Sequence, residues 1–113
     1  MTIMTKPFAA INSHAIAWRK SDFAPGVSVK DLGESDGQAM QLVQFDPGAR
    51  FPWHRHAAPE FIYILAGEVI QRGRRLGAGW AGIAPAGTEE DDFMSETGAQ
   101  FLLVYGEEPG GSK

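Results

Sequence analysis

Two imidazoles and a carboxylate lie close together in the segment His54-Arg55-His56-Ala57-Ala58-Pro59-Glu60, a spacing that lets extended chain hand all three to one cation. Successive side chains on a strand alternate faces, so His54 and His56, two apart, point the same way. Pro59 forces a bend before the apolar run that begins at Glu60, and the carboxylate converges on the imidazoles. Two histidines and a carboxylate suit a first-row divalent ion, and with open positions they are the ligand type of non-haem iron oxygenases. The sequence contains no cysteine, so thiolate ligation, a sulfur nucleophile and a disulfide framework are excluded.

A histidine by itself is usually a surface or hydrogen-bonded residue; the pairing and the following glutamate are what point to metal. The third histidine, His14, stands outside this pattern and reads as no ligand. Alternation from His54 and His56 turns Phe51, Trp53 and Arg55 outward, while Ile62, Ile64, Asp92 and Met94 share parity with inward positions. They outline a small, mostly apolar pocket. Arg72, Arg74 and Arg75 have no aromatic interleaving and read as a hairpin surface.

The elements that must hold these residues are strands. Fourteen glycines and seven prolines punctuate short stretches rich in Val, Ile, Leu, Phe and Tyr, and no sustained helical period is present. Strands are expected over 27–32, 39–45, 51–56, 60–66, 68–72, 80–84 and 99–105, with turns at Arg72-Gly73 and at 77–79. The fold class is all-β, a small sandwich or barrel, and 113 residues make one domain with its core over about 25–106. The ends, 1–13 and 107–113, are expected to be poorly ordered. Phe61 to Leu65 is apolar on both faces, which calls for a cover over the outer one. Either the segment around Ile16 and Trp18 supplies it, or a second copy does, as a homodimer.

Gly48, His54, His56, Glu60 and Gly67 match the first cupin signature, G-x5-H-x-H-x3-E-x6-G, at every spacing. At about one chance in twenty per fixed position, accident produces five such matches roughly three times in ten million starts. The chain thus resembles the cupins, and within them ChrR-type anti-sigma factors and dihydroxyacetophenone dioxygenase-like proteins; the resemblance implies a single jelly-roll barrel. The second signature, G-x5-P-x-G-x2-H-x3-N, is met at Gly79, Pro85 and Gly87 and then departs. Glu90 stands in place of its histidine and Met94 in place of its asparagine. If that spacing holds, Glu90 joins His54, His56 and Glu60 as a fourth ligand. A register slip puts Glu89 or Asp91 there instead, and with none of them the three ligands form an open face. Two carboxylates make a harder site than the usual three histidines and one glutamate. It suits iron or manganese somewhat better, with zinc and nickel ranking higher on affinity alone.

Ten basic against fourteen acidic residues leave a mildly acidic protein without the footprint of a nucleic-acid binder. The first seventeen residues are too broken by Lys6, Asn12 and His14 for a signal core or membrane span, so a cytoplasmic protein is expected. A lone cupin is expected, without the separate helical sigma-binding domain that a whole ChrR-type factor carries in front of it. The resemblance implies a metal-binding cupin acting on a small molecule, most plainly a dioxygenase-like enzyme. The alternatives are a ligand- or metal-sensing module without catalysis and a scaffold that has lost its metal.

Overall fold

The computed structural model describes residues 8–106. Over them the chain forms a 3-10 turn, Ser13–Ala15, and eleven strands: β1 Arg19–Lys20, β2 Val27–Ser35, β3 Gln38–Phe45, β4 Arg50–Phe51, β5 His54–Arg55, β6 Glu60–Gln71, β7 Arg74–Gly77, β8 Ala81–Ala84, β9 Glu89–Glu90, β10 Phe93–Met94 and β11 Ala99–Gly106. One curled sheet runs β1-β2-β3-β11-β6-β10-β4, with β7 and β8 also paired to β6. β5 and β9 make a ladder of their own. The expected all-β barrel is what forms. No helix among the described residues is long and apolar enough to cross a membrane. The predicted disorder at 1–7 and 107–113 lies outside the described residues; 8–13 are described, and Ser13 opens the 3-10 turn.

Two hairpins close on residue pairs with positive φ: Asp36 (52°) with Gly37 (80°), and Arg72 (51°) with Gly73 (79°). Such two-residue turns carry the right-handed twist of the strands they join. Along β11 and β3 burial alternates strictly, and Val43, Phe45, Phe101 and Leu103 turn inward with at most 2 % of their surface exposed. Phe45, Phe51, Phe93 and Phe101 interlock there, mostly edge to face, with ring centres 4.9–6.3 Å apart.

Two strands were expected on either side of Gly67, but β6 is continuous. Its first half pairs with β11 and β8 and its second with β7 and β10, so the strand turns a corner of the barrel without breaking. Gly67 is the corner: its φ is 72°, and a Cβ there would stand 2.8 Å from Ala99 Cα. Buried Ser95 braces the same place. Its hydroxyl donates to the Glu68 carbonyl (2.6 Å) and accepts from the Gly98 amide (2.9 Å).

The N-terminal segment does not cover the outer face of β6. It lies along β2 instead, where Lys30 Nζ donates to Ser13 O (2.8 Å) and sits 4.8 Å above the Trp18 ring. Phe61, Tyr63 and Leu65 stay 42–48 % exposed. Arg19 fixes the segment by a two-pronged bond to Asp31 (2.6 and 3.0 Å), which also accepts from Gln41 Nε2 (2.7 Å).

Gly67→Ala should cost about 1–3 kcal/mol from backbone strain alone, more if the clash is not relieved, measured by urea unfolding. The Arg19 hydrogen bond, and secondarily that from Gln41, holds the Asp31 carboxyl below its ordinary value of 3.8. The stability this supplies is therefore complete above that value and lost as pH falls through the lowered one. Asp31→Asn should flatten the acid limb of the stability–pH curve while costing at most about 1 kcal/mol at neutral pH, because the pair is half exposed.

Candidate metal centre

Pro52 and Trp53 interrupt the strand expected over 51–56, leaving β4 and β5 as two-residue pieces. The histidines nevertheless meet. Their ring centres are 4.8 Å apart and nearly perpendicular, and one donor atom each from His54, His56 and Glu60 lies within 4.8 Å of the others. β5 is held by β9, with His54 opposite Glu90 and Arg55 opposite Glu89. The ladder extends one step further as His56 N donates to Thr88 O (2.9 Å) and Gly87 N to His56 O (2.7 Å). Glu60 opens β6, opposite Ala84 on one side and Tyr105 on the other.

Backbone carbonyls settle which ring nitrogens carry hydrogen. His54 Nδ1 is 2.9 Å from Pro52 O, an atom that can only accept, so Nδ1 donates. His56 Nδ1 lies 3.2 Å from Thr88 O and 3.0 Å from Thr88 Oγ1. That hydroxyl spends its own hydrogen on Pro85 O (2.6 Å), so it too accepts from Nδ1. Both imidazoles in their neutral form therefore present an Nε2 lone pair. For His56 this atom is buried and makes no hydrogen bond, although Glu60 Oε2 is 3.0 Å away and Glu90 Oε2 3.7 Å away.

A buried lone pair facing two carboxylates is repulsive unless a proton or a metal cation stands among them. The donor set fits such a cation. Nitrogen and oxygen ligands held at ~2.1 Å from one ion and at right angles sit ~3.0 Å apart, the spacing seen between His56 and Glu60. Fixing the far nitrogen of each histidine on a carbonyl is also how metal-binding imidazoles are oriented. Glu90, at the expected fourth position, is 12 % exposed in its side chain, close to the 13 % of Glu60. Glu89 is exposed opposite Arg55, and Asp91 is exposed and bonded to Arg72 Nε (3.1 Å).

A cavity of about 530 Å³ opens beside these groups. Phe51, Ile62, Leu76, Phe93 and Leu103 wall it, and His56, Glu60 and Glu90 supply its polar side. Parity misplaced several of these. Phe51, expected outward, is 6 % exposed and lines the cavity, because the break at Pro52 uncouples its orientation from that of His54. Ile64, expected in the pocket, is wholly buried in the core. Phe93, not Met94, faces inward beside Phe51. Trp53 and Arg55 are exposed as expected. His14 is exposed in the 3-10 turn. The arginine hairpin is ion-paired to Asp91, Glu68 and Glu96, with Arg72 also bordering the cavity. Two residues escaped the sequence reading. Thr88 was signalled only by the Pro85-x-Gly87 turn before it, and Phe23, whose ring edge meets His54 at 5.0 Å, lies in a loop without any pattern.

Comparison with known proteins agrees with this architecture. Oxalate decarboxylase OxdC of Bacillus subtilis (strain 168) is 28 % identical over 92 % of the chain, and the chain spans only 29 % of that relative's length. The crystal structure of an acetylacetone dioxygenase from Acinetobacter johnsonii superposes with a TM-score of 0.76 at 16 % identity, covering 94 % of this chain and 77 % of that one. The polyketide cyclase RemF from Streptomyces resistomycificus also gives 0.76, at 19 % identity over 90 % and 81 % of the two chains. These likenesses establish a cupin jelly roll. The model of the ChrR cupin-like domain matches residues 6–108, and the chain belongs to that family.

Proposed function

We propose that His54, His56, Glu60 and Glu90 hold one divalent first-row ion, iron, manganese, zinc or nickel, and that the centre serves a dioxygenase-like reaction on a small organic molecule. The observation that carries this reading is the buried Nε2 of His56, whose tautomer is fixed by Thr88 and which faces two carboxylates. When bound, such an ion supplies Lewis-acid or redox chemistry at positions the protein leaves open. The chain's own residues do the rest. Thr88 and Pro52 aim the imidazoles, Phe23 packs against His54, and the walls of Phe51, Ile62, Leu76, Phe93 and Leu103 exclude water and favour an apolar substrate. The named dioxygenase among the structural neighbours supports the reaction class through fold alone. A sensing role without catalysis is favoured by one feature, the replacement of the second motif's histidine by Glu90. The net charge of −4 speaks against nucleic acid as a partner, and a cytoplasmic location is compatible with the cysteine-free composition.

The reading includes a homodimer. Met40, Val104, Phe61 and Ile83 stand in register across β3, β11, β6 and β8, beside a second row of Leu42, Leu102 and Tyr63. Four of these seven are 40–69 % exposed. An apolar face this broad on a small barrel suits a second copy of itself, related by a two-fold axis.

Purified protein should carry close to one divalent ion per chain by inductively coupled plasma mass spectrometry, and His54→Ala/His56→Ala none. A metal-free wild type that takes up no ion would end the proposal. Thr88→Val should keep the fold by circular dichroism yet weaken metal affinity about 10- to 100-fold, as loss of an orienting partner does. In sedimentation velocity the wild type should run at twice its 12.2 kDa chain mass and Tyr63→Glu as a monomer; a monomeric wild type would refute the dimer.

A further inference from the structure

Resting on the metal-centre reading above, we propose that Glu90 sets the charge of the ligand this centre accepts, selecting neutral oxygen chelators with an apolar body over dianions. The groups bordering the cavity include three carboxylates, Glu60, Glu89 and Glu90, against one guanidinium, Arg72. Arg72 is already bonded to Asp91, so it brings no unbalanced positive charge to the cavity. Of the other cations, Arg19 pairs with Asp31 and Arg75 with Glu68 and Glu96, Lys30 lies against Ser13 O and the Trp18 ring, Arg74 against the face of Trp80, and Arg55 is exposed opposite Glu89; none of them lines the cavity.

Within the centre the charges cancel. Glu60 and Glu90 lie 3.0 and 3.7 Å from His56 Nε2, and two carboxylates offset the two positive charges of a divalent ion. A histidine at position 90 would leave one positive charge uncancelled and attract anions. With Glu90 there, a dianion would bring its full charge into a cavity walled by phenylalanine, leucine and isoleucine, whose lining carries three carboxylates and no cation besides Arg72. A neutral bidentate ligand loses nothing of the kind. The walls gain from its apolar body, and about 530 Å³ accommodates a molecule of one small ring with its chelating arm.

The test uses cobalt(II)-loaded protein at neutral pH and a matched pair of probes, benzylmalonate (dianion) and its neutral diamide, read by titration calorimetry and the cobalt absorption bands. Cobalt stoichiometry is measured first; failure to load overturns the metal-centre reading and this inference with it. In loaded wild type, the affinity ratio of dianion to diamide should fall at least ~10-fold below that of aqueous cobalt(II), and Glu90→Gln should raise it at least ~10-fold, as expected for one nearby unit charge. Glu96→Gln makes the same charge change at an exposed partner of Arg75 and should leave the ratio within about 2-fold. Loaded proteins in which Glu90→Gln and Glu96→Gln behave alike would overturn the inference and leave the metal centre standing. Should Glu90→Gln not retain cobalt, the wild-type ratio against the aqueous ion decides alone, and parity between the two refutes it.

Discussion

Backbone pairing along β6 ties the molecule together. This one strand is hydrogen-bonded to β11, β8, β7 and β10, and along its length it presents the site, the core and the surface in turn. Glu60 at its first residue faces the histidines, Ile64 and Val69 sit fully inside, and Phe61 and Tyr63 face out. Because side chains alternate along a strand, moving β6 by one residue would pull Glu60 from the centre and turn the core outward together. Gly67, the corner where β6 passes from one set of partners to the other, is therefore a condition for the site as much as for the barrel.

The all-β class was readable because glycine and proline punctuation between β-branched and aromatic stretches has a local cause, and the motif from Gly48 to Gly67 singled out His54, His56 and Glu60, whose donor atoms lie within 4.8 Å of one another. Counting from Pro85 and Gly87 singled out Glu90, whose carboxylate stands 3.7 Å from His56 Nε2. Local rules failed where the chain departs from regular extension. Phe51 was misjudged because the Pro52-Trp53 break resets the alternation, and the halves of β6 were separated because a glycine that bends a strand looks in sequence like one that ends it. Phe23 and Thr88 were beyond reach for a different reason: each acts through a partner distant in sequence, and nothing local announces the meeting.

A barrel of this kind tolerates many chemistries, as the decarboxylase, dioxygenase and cyclase among its likenesses illustrate. The centre of this chain is defined by electrostatics. Two acidic side chains of nearly equal burial flank one imidazole whose free lone pair is fixed by hydrogen bonds on the ring's other side. Arg72, the one cation lining the cavity, is paired with Asp91 at the surface, so the acidic groups of the interior depend on whatever occupies the centre to balance their charge.

The placement of the aromatic residues has an optical consequence. The aromatic part of the core is four phenylalanines and Tyr105, whereas Trp53 and Trp80 are 61 % and 47 % exposed and Trp18 lies under Lys30 at the edge of the sheet. Tryptophan emission from this protein therefore reports the rim of the barrel and the N-terminal strap. The interior itself speaks through Tyr105 and the phenylalanines.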